Sequence, residues 1–475
     1  MKCVSVRITE SDYKRLYQHL FPRDEDEHAA VLGVGVTMTR RGIRLLVRRV
    51  FIAQDGTDYV EGDVGYRKLT AEFVTQSSLA CEAEGLGYIA VHCHGGSDTV
   101  TSSQTDLDSH SRGYPALLDN LRGMPVGALV FAKNAVAGDF WMANGDRYDL
   151  DGFDVVGNNL LHLNDGFSSM STSSSGSSPV FDRQVRMFGD VGQARLSSQK
   201  VAVIGAGGVG AMIIEQLTRM GVGEVVVIDD DRLEDTNLNR LVGSGPTDLR
   251  HFLHKYLPFL SVKPRFKVDI ARRLAKRSGA KSIVRAVPMS VARQEAASML
   301  VDCDYIFLAA DTAQARLVYN AVIHQYLIPG TQAGVKIQVD KLDGSVVDIS
   351  TWVRRTIPGA GCFWCGGLIS SKKLQEESLT ESQKRSQVYI IDEQGVHAPS
   401  IIMLNGIVAS HAVDSYVERV TGLMQTDELN WLWYRPMTEE WSLMRPSDSS
   451  DTCPECSIDG KRFAMGDGVR LPVGA

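Results

Sequence analysis

A glycine-rich turn between a strand pattern and a helix pattern leaves this chain few folds to choose from. Lys200–Ile204 is apolar and β-branched, the turn runs from Gly205 to Gly210, and residues 209–220 have helical spacing. Glycines there permit a tight turn, and the start of the helix directs N–H groups toward a phosphate. A second strand pattern at Glu224–Ile228 continues the alternation. This order predicts an α/β fold with a parallel, doubly wound sheet.

The predicted nucleotide site combines the turn glycines with an acidic residue at the end of the second strand. Asp229 follows Gly210 by 19 residues, a spacing at which a carboxylate binds ribose hydroxyls. The candidate glycines are Gly205, Gly207, Gly208 and Gly210. Taken alone, this pattern indicates a nucleotide-binding site, with NAD as the default ligand.

Three cations favour a nucleoside triphosphate over NAD. Arg183 precedes the glycine turn, Arg240 follows the second strand, and Lys267 opens a helical pattern. A dinucleotide dehydrogenase has no need for them, whereas a triphosphate that releases pyrophosphate needs cations to offset the developing charge. Asp311, just beyond the strand pattern at residues 305–309, is suited to hold Mg²⁺.

The order of these residues resembles the core of the ThiF-like adenylyltransferases. That family includes the ubiquitin-activating enzymes and the activators of molybdopterin and thiamine sulfur carriers. The resemblance covers residues 181–423 and the last cysteine pair. It implies a Rossmann-like domain that uses ATP and Mg²⁺, with Asp311 serving Mg²⁺ and the adenylation step. Besides the glycines, it implies a nucleotide-binding set of Asp229, Asp231, Asn237, Arg240 and Lys267.

The same resemblance assigns roles within that set. Asp229 would bind the ribose, while Asn237, Arg240 and Lys267 would contact the phosphates. Lys263, four residues before Lys267, is an alternative for the lysine role. Arg183 corresponds to an arginine that this family donates across a dimer interface, so the resemblance implies a homodimer.

Two C-x-x-C pairs predict a structural metal site. Cys362 and Cys365 form the first pair, and Cys453 and Cys456 form the second. Four thiolates complete a tetrahedral Zn²⁺ site and leave no position for a substrate. The same four cysteines recur in the sulfur-carrier activators that the chain resembles, which favours zinc over a redox role for either pair.

A second metal pattern lies nearer the start of the chain. His92 and His94 alternate along an extended segment, so both imidazoles can face one ion, and Asp106 can add a carboxylate. Two histidines and one carboxylate leave a tetrahedral Zn²⁺ with an open position for water, as in catalytic sites. Glu27, just ahead of an apolar strand pattern, is the candidate for passing a proton to the leaving amine.

The spacing H-x-H-G-x(7)-S-x(2)-D with an upstream glutamate resembles that of the JAMM (MPN+) metalloproteases. These zinc isopeptidases cleave behind the C-terminal glycines of ubiquitin-like proteins. The resemblance implies that the zinc ligands are His92, His94 and Asp106. It also implies that Glu27 is the general acid/base and that the Ser103 hydroxyl stabilises the oxyanion. Gly95 stands where the family usually has proline, and Glu25 and Glu84 are alternatives to Glu27.

Composition divides the chain and limits its environment. The serine-rich stretch 168–179 behaves as a flexible tether, which predicts an N-terminal JAMM/MPN α+β domain at 1–165, a linker at 166–180 and a ThiF-like domain at 181–475. A net charge of −7 without a basic run argues against nucleic acid as a partner. The chain has neither an 18-residue apolar stretch nor a signal-peptide pattern, so we expect a cytoplasmic protein that does not bind membranes.

Together the resemblances predict a bifunctional enzyme of a bacterial ubiquitin-like system. It would adenylate the C-terminal glycine of a ubiquitin-like protein with ATP, and its zinc peptidase would process that protein or release it from conjugates. The alternative is sulfur-carrier activation for molybdopterin, thiamine or cysteine biosynthesis. In that reading the N-terminal domain releases the product or only binds the carrier.

The remaining cysteines bear on the mechanism. Activators that form a thioester place a cysteine between the first zinc knuckle and the C-terminal region, but residues 366–452 contain none. Cys303 is expected to be buried, and Cys93 is expected to point away from the flanking histidines. We therefore expect no thioester on this chain. A thiol of a conjugating-enzyme-type or sulfurtransferase partner would attack the adenylate instead.

Overall fold

A computed structural model of the 475-residue chain provides the fold. It describes residues 3–24, 26–60, 67–167, 178–250, 263–279, 281–340, 342–379, 399–423 and 428–474. Most of the predicted serine-rich linker lies outside the described residues, as does Glu25. Parts of the cysteine-free stretch 366–452 lie outside them as well.

The chain forms two compact units. The first contains Met1–Ser175, His324–Leu327 and Pro454–Arg470, and the second contains Gly176–Ile323, Ile328–Cys453 and Leu471–Ala475. These boundaries differ from the predicted ones at the C-terminal end. The sequence places Pro454–Arg470 within a domain at 181–475, whereas in the structure this segment belongs to the first unit.

The first unit is built on an eight-stranded sheet with the strand order β1-β3-β2-β4-β5-β6-β7-β8, and β1 also pairs with β7. Its strands are β1 (Cys3–Thr9), β2 (Ala29–Thr39), β3 (Gly42–Ile52), β4 (Gly87–Cys93), β5 (Val126–Phe131), β6 (Val136–Trp141), β7 (Arg147–Val156) and β8 (Leu160–Leu163). Its described helices are α1 (Glu10–Leu20), α2 (Ala71–Glu84) and α3 (Gln104–Asn120). The mixture of strands and helices agrees with the predicted α+β character of this region.

Alternation along β4 decides which side chains enter the core. Ile89, Val91 and Cys93 all belong to one buried apolar cluster. Successive side chains of a strand point to opposite faces, so His92 must lie on the other face. The prediction that Cys93 points away from the histidines is therefore confirmed, and its side chain is buried.

The C-terminal segment Pro454–Arg470 packs along β2 within the first unit. The N–H of Asp467 donates to the carbonyl oxygen of Val36 at 2.8 Å, and Thr37 Oγ1 donates to a carboxylate oxygen of Asp467 at 2.9 Å. The approach requires a glycine on the strand, because a Cβ at Gly35 would lie 2.1 Å from the carbonyl oxygen of Ala464. The two segments are therefore packed backbone against backbone.

The second unit is built on another eight-stranded sheet, with the order β11-β10-β9-β12-β13-β14-β15-β16. Its strands are β9 (Lys200–Ile204), β10 (Glu224–Ile228), β11 (Ile283–Val287), β12 (Tyr305–Leu308), β13 (Gly330–Val339), β14 (Val346–Thr356), β15 (Trp431–Arg435) and β16 (Glu440–Met444). Its described helices are α4 (Asp182–Ser198), α5 (Gly208–Arg219), α6 (Pro246–Leu249), α7 (Lys267–Arg277), α8 (Gln294–Val301), α9 (Ala313–Gln325), α10 (Ser371–Ser378) and α11 (Ile402–Thr421). Only the last two residues of α9 belong to the first unit.

The sheet of the second unit is mixed. Strands β9 to β13 pair in parallel, which confirms the predicted doubly wound core, and the chain reverses direction across the sheet between β9 and β12. Strands β14, β15 and β16 add an antiparallel extension that the sequence pattern did not predict. Ligands of such sheets bind at the carboxyl ends of the strands where the strand order reverses, which here lies beside β9 and β12.

The core of the second unit contains α11, a 20-residue helix that packs against α5 and β13. Its buried residues include Asn405 and Arg419 among apolar side chains. Cys303, next to β12, is also fully buried, as predicted. Across the described part of the chain, no helix has both the length and the apolar character needed to cross a membrane.

Candidate functional sites

The first unit brings two histidines and an aspartate together. His92 Nε2 and His94 Nε2 lie 3.1 Å apart, and the Asp106 carboxylate lies 3.4 Å from the first and 3.6 Å from the second. Ligand atoms around a tetrahedral zinc are about 3.3 Å apart, given zinc–nitrogen and zinc–oxygen bonds of about 2.0–2.1 Å. The distances between these three side chains therefore match those between ligands of one zinc ion.

Local structure fixes the third member of this group. Ser103 caps α3: its Oγ accepts the N–H of Asp106 at 3.2 Å, while its own N–H and Oγ–H both donate to Asp106 Oδ2 at 2.7 Å. This reciprocal capping box orients the carboxylate toward the histidines. Burial alone would raise the pKa of Asp106, but its interactions with His92 and Ser103 outweigh burial and hold the pKa well below its usual range.

The candidate proton carrier, Glu27, lies two residues before β2. Ala29 pairs with His92, and the N–H of Cys93 donates to the carbonyl oxygen of His28. Continuing that register by one residue places Glu27 opposite His94, on the face that carries the histidines. The alternative Glu84 instead ends α2 and pairs with Arg48 and Arg49, each at 2.7 Å.

A hydrogen-bond network around Asp139 was not predicted from the sequence. His110 Nδ1 lies 3.0 Å from the Asp139 carboxylate, which also accepts hydrogen bonds from Trp141 Nε1 at 3.1 Å and Arg147 Nη2 at 2.9 Å. Burial would raise the pKa of Asp139, but these donors together lower it. His110 lies one helical turn after Asp106, and this i, i+4 spacing was the available signal.

The glycine turn of the second unit is held by steric and polar constraints. Gly205 has a φ of 96°, and a Cβ at Gly210 would lie only 1.9 Å from the carbonyl oxygen of Gly205. Asp229 Oδ2 accepts the N–H of Ala206 at 2.6 Å. By contrast, a Cβ at Gly207 would meet nothing within 4 Å, so open space faces the turn at the start of α5.

Asp229 and its neighbours shape the edge of this space. Its other oxygen accepts the N–H of Asp231 at 2.8 Å, and burial raises the pKa of the Asp229 carboxyl. Asp231 in turn accepts Lys267 Nζ at 2.6 Å. Lys263, the alternative lysine, is exposed, and its carbonyl oxygen accepts a hydrogen bond from Arg250.

The other predicted nucleotide residues lie on the segment after β10. Asn237 is buried, and its Oδ1 accepts the N–H of Glu234 at 3.2 Å, so its side chain shapes a short 3₁₀ turn. Arg240 Nη1 donates to the carbonyl oxygen of Thr236 and lies on the exposed side of the segment. Asn237 thus has a structural role, and Arg240 is held against its own turn.

Asp311 lies three residues beyond β12 and is exposed. Directly after it, α9 begins, and Glu377 accepts the N–H groups of Ala313 and Gln314 at 2.7 and 2.9 Å. Glu377 therefore caps the helix that follows Asp311, a role that the sequence pattern did not reveal because the two segments lie far apart in the chain.

Arg183 lies on the first turn of α4 and is exposed. Three apolar side chains close to it in the sequence, Val180, Met187 and Val191, are 62 to 67% exposed. Gly189, with a φ of 73°, bends the helix between the last two of them.

Three of the four cysteines of the C-x-x-C pairs lie together in the second unit. Cys362 Sγ is 3.7 Å from Cys365 Sγ and 3.6 Å from Cys453 Sγ. Sulfurs around a tetrahedral zinc are about 3.8 Å apart, given a zinc–sulfur bond of about 2.3 Å. The spacing of these three sulfurs therefore fits a zinc site, and Cys456, on the segment Pro454–Arg470 of the first unit, stays the predicted fourth ligand.

Three known proteins are similar to parts of this chain. The SAMP-activating enzyme E1 of Haloferax volcanii is 56% identical over 54 residues, or 11% of this chain and 20% of that protein. The adenylyltransferase and sulfurtransferase UBA4 of Yarrowia lipolytica is 37% identical over 84 residues, or 16% and 21%. The ubiquitin-like modifier-activating enzyme 5 of Bombyx mori is 25% identical over 281 residues, or 56% and 62%. The chain thus spans less than two thirds of the length of each of these relatives.

A crystal structure of Escherichia coli MccB with ATP also resembles the chain. It covers 59% of this chain and 75% of that chain with a TM-score of 0.45 and 16% sequence identity. A likeness at this level does not identify a function.

A family model described as the ThiF family matches residues 181–455, more than half of the 475 residues. The matched region contains the glycine turn, Asp229, Lys267 and Asp311. The chain therefore belongs to the ThiF family.

Proposed function

We propose that the second region adenylates the C-terminal glycine of a ubiquitin-like protein with ATP. The observation that supports this most is the glycine turn beside β9, where Gly207 opens onto free space and Asp229 fixes the backbone. The names of the relatives from Haloferax and Bombyx point to activation of protein modifiers, and ThiF membership agrees with that chemistry.

In this reaction a carboxylate oxygen of the substrate attacks the α-phosphorus of ATP, and pyrophosphate leaves. Backbone N–H groups at the start of α5 would bind phosphate oxygens, and Asp229 would accept the ribose hydroxyls. Lys267 would exchange its ion pair with Asp231 for the phosphates. Arg240 would leave its own turn in the same way, so both cations offset charge as it develops on the leaving group.

An exposed carboxylate next to bound phosphates is a common way to hold Mg²⁺, which keeps several waters and few protein ligands. Asp311 meets that description, so it would hold Mg²⁺ beside the phosphates. When bound, Mg²⁺ neutralises part of the charge on the triphosphate.

ATP–pyrophosphate exchange tests this proposal. The full chain is incubated with labelled pyrophosphate, ATP and candidate ubiquitin-like proteins that end in Gly-Gly. We expect exchange with a mature protein and none with the same protein lacking its last glycine. Equal exchange with the mature protein and with the protein lacking its last glycine contradicts the proposal. The absence of exchange with any candidate contradicts it as well.

We propose a second activity for the first unit, zinc-dependent peptidase or isopeptidase cleavage, because His92, His94 and Asp106 fit one metal site. When bound there, zinc lowers the pKa of a coordinated water to about 7 and supplies hydroxide. Glu27, opposite His94 in the strand register, would take the proton of the attacking water and pass it to the leaving amine.

Ser103 has a different immediate role from the one implied by the resemblance. Its hydroxyl proton is donated to Asp106 Oδ2, so Ser103 orients a metal-binding carboxylate. Stabilising an oxyanion as well would require this hydrogen bond to be released during the reaction. We therefore assign Ser103 first to the positioning of Asp106.

Metal analysis separates this peptidase from a mere binding module. The four predicted cysteine ligands and the histidine group would together hold two zinc ions per chain, and His92→Ala would leave one. One zinc in the unmodified protein would support the reading in which the first unit only binds the ubiquitin-like tail. Cleavage of a substrate extended beyond its terminal glycine provides the activity readout.

The two proposed activities act on the same end of one substrate. The peptidase would expose a terminal glycine or free it from a conjugate, and the adenylyltransferase would activate it. Because residues 366–452 contain no cysteine, the adenylate would pass to a thiol of a conjugating-enzyme-type partner. The name of the Yarrowia relative favours a second candidate, sulfur-carrier activation, in which a sulfurtransferase is the partner.

Homodimerisation is part of this proposal. Arg183 is exposed on α4, and the apolar side chains Val180, Met187 and Val191 nearby are exposed as well. A partner copy seated there would cover the apolar surface and bring Arg183 to the other subunit's nucleotide. Light scattering of the full chain and of Met187→Asp tests this, with a dimer expected for the first and a monomer for the second.

A further inference from the structure

Three tryptophans and an arginine share one face of the antiparallel extension in the second unit. Trp352 and Arg354 alternate along β14, and Trp352 pairs with Trp433 on β15, two residues after Trp431. The Arg354 guanidinium lies 4.8 Å from the ring centre of Trp352 and 5.5 Å from those of Trp431 and Trp433. With Arg316 of α9, these residues form what we call the Arg–Trp cluster.

The cluster buries positive charge without a matching negative charge. Arg354 is 8% exposed, and its only described side-chain hydrogen bond runs from Nη1 to Gln332 Oε1 at 3.1 Å. Burial, and secondarily the charge of Arg316, lowers the pKa of Arg354 to about 10. Across the described ranges, no carboxylate pairs with either arginine. The tryptophan rings stabilise the flat faces of the guanidinium but leave its edge unsatisfied.

The unsatisfied atoms are all donors. Four buried N–H groups have no acceptor among the described residues: Nε of Arg316 and Arg354, and Nε1 of Trp352 and Trp433. A group that satisfies them must supply oxygen acceptors and negative charge, and a carboxylate matches the guanidinium edge in both respects. The cluster is therefore built for a carboxylate rather than for a cation or an apolar group.

The strand register locates the cluster relative to the reaction. Gln332 pairs with Leu308, the last residue of β12, on one side and with Arg354 on the other. The cluster thus lies two strands, or about 10 Å, from the carboxyl end of β12, and farther from the phosphate-binding turn after β9. An extended peptide covers that distance with about three residues.

We propose that the Arg–Trp cluster receives an acidic side chain of the substrate's C-terminal tail, about three residues before the glycine that is adenylated. This inference rests on the proposed adenylation, because that reaction places the terminal glycine beside β12. It adds a specificity rule: tails with Asp or Glu at that position bind better than tails with Gln or Lys.

Isothermal titration of the full chain tests this rule with synthetic peptides. The probe is acetyl-Ser-Ser-Glu-Ser-Gly-Gly, compared with the same peptide carrying Gln in place of Glu, and with the Glu peptide amidated at its C-terminus. We expect the Glu peptide to bind about tenfold more tightly than the Gln peptide. Arg354→Gln should abolish this ratio, whereas Arg435→Gln, an exposed arginine on β15, should leave it unchanged.

Each possible outcome of the titration supports or overturns a specific part of the proposal. Equal binding of the Glu and Gln peptides, or no binding of any peptide, overturns the carboxylate assignment. Equal binding of the Glu and Gln peptides together with lost binding of the amidated peptide means that the terminal carboxylate occupies the cluster, which also overturns the side-chain assignment. Selective binding of the Glu peptide without pyrophosphate exchange for any candidate protein would keep the site and reject adenylation.

A stability measurement separates this role from a purely structural one. Removing an unpaired buried cation relieves its desolvation cost, so we expect Arg354→Met to melt at a higher temperature than the ligand-free wild type. The same variant should lose the preference for Glu. A lower melting temperature would identify Arg354 as a structural residue and contradict the proposal.

Discussion

The histidine group of the first unit and the nucleotide region of the second are organised in opposite ways. Strand alternation and a helix cap bring His92, His94 and Asp106 to metal-binding distance without a ligand. In the nucleotide region only the backbone is prepared, while Lys267 is paired with Asp231 and Arg240 is held against its own turn. Under the two proposed activities, the first site is preorganised, and the second would exchange internal contacts for those of its ligand.

The largest expected effect concerns the preorganised site. Glu27→Gln should reduce peptide cleavage by about 10²–10⁴-fold, because the neutral amide cannot carry the proton, while the zinc content stays the same. The measurement is cleavage of an extended ubiquitin-like substrate, together with zinc analysis. Glu72→Gln, an exposed glutamate on α2, is the matched control. Normal cleavage by Glu27→Gln would mean that Glu25 or Glu84, rather than Glu27, transfers the proton.

The second prediction separates fold from ligand binding at the glycine turn. Gly210→Ala places a Cβ 1.9 Å from the carbonyl oxygen of Gly205 and should destabilise the protein by about 1–3 kcal/mol. Gly207→Ala meets nothing within 4 Å and should leave the melting temperature unchanged while weakening ATP binding, because its methyl group enters the space kept for phosphate. Thermal melting with and without ATP checks both variants. Equal ATP-induced shifts for Gly207→Ala and wild type would contradict the placement of the phosphates.

The third prediction tests whether the second site rearranges. Lys267→Met should slow pyrophosphate exchange by about 10²-fold, in the range for loss of a group that stabilises transition-state charge. Asp231 is largely exposed, so losing the ion pair should change stability by less than about 1 kcal/mol. Lys263→Met is the control and should exchange at the wild-type rate. Slow exchange by Lys263→Met together with wild-type exchange by Lys267→Met would identify Lys263 as the lysine that binds the phosphates.

The last prediction concerns the hydrogen-bond network around Asp139. Hydrogen bonds lower the folded-state pKa of Asp139, so its charge stabilises the protein above the unfolded-state pKa, and this stability is lost as the pH falls through the folded-state value. Asp139→Asn should therefore lower the unfolding free energy by about 1–3 kcal/mol at pH 7, and by less at pH 3. Urea unfolding at both pH values measures this, with the exposed Asp151→Asn as control. If the change in unfolding free energy caused by Asp139→Asn is the same at both pH values, the charge of the Asp139 carboxylate does not stabilise the protein.

The features that could be predicted from the sequence are those that depend on short-range spacing of residues. The i, i+2 alternation of His92 and His94 predicted that both could face one ion with Asp106, and the structure places the three side chains together. The glycine turn between a strand and a helix was also predicted. Contacts made over long separations were missed. Glu377 caps α9 from a distant segment, Pro454–Arg470 packs on β2, and the tryptophans of β15 meet Arg354 through strand pairing that no local pattern encodes.

The central claim, that two separate chemistries lie on one chain, is tested by assaying cleavage and pyrophosphate exchange on the same preparations of wild type, Glu27→Gln and Asp311→Ala. The substrate is a candidate ubiquitin-like protein supplied both with a C-terminal extension and in mature form. We expect Glu27→Gln to lose cleavage and keep exchange with the mature protein, and Asp311→Ala to keep cleavage and lose exchange. Loss of both activities in either variant, or exchange with the unprocessed precursor in Glu27→Gln, would contradict the account.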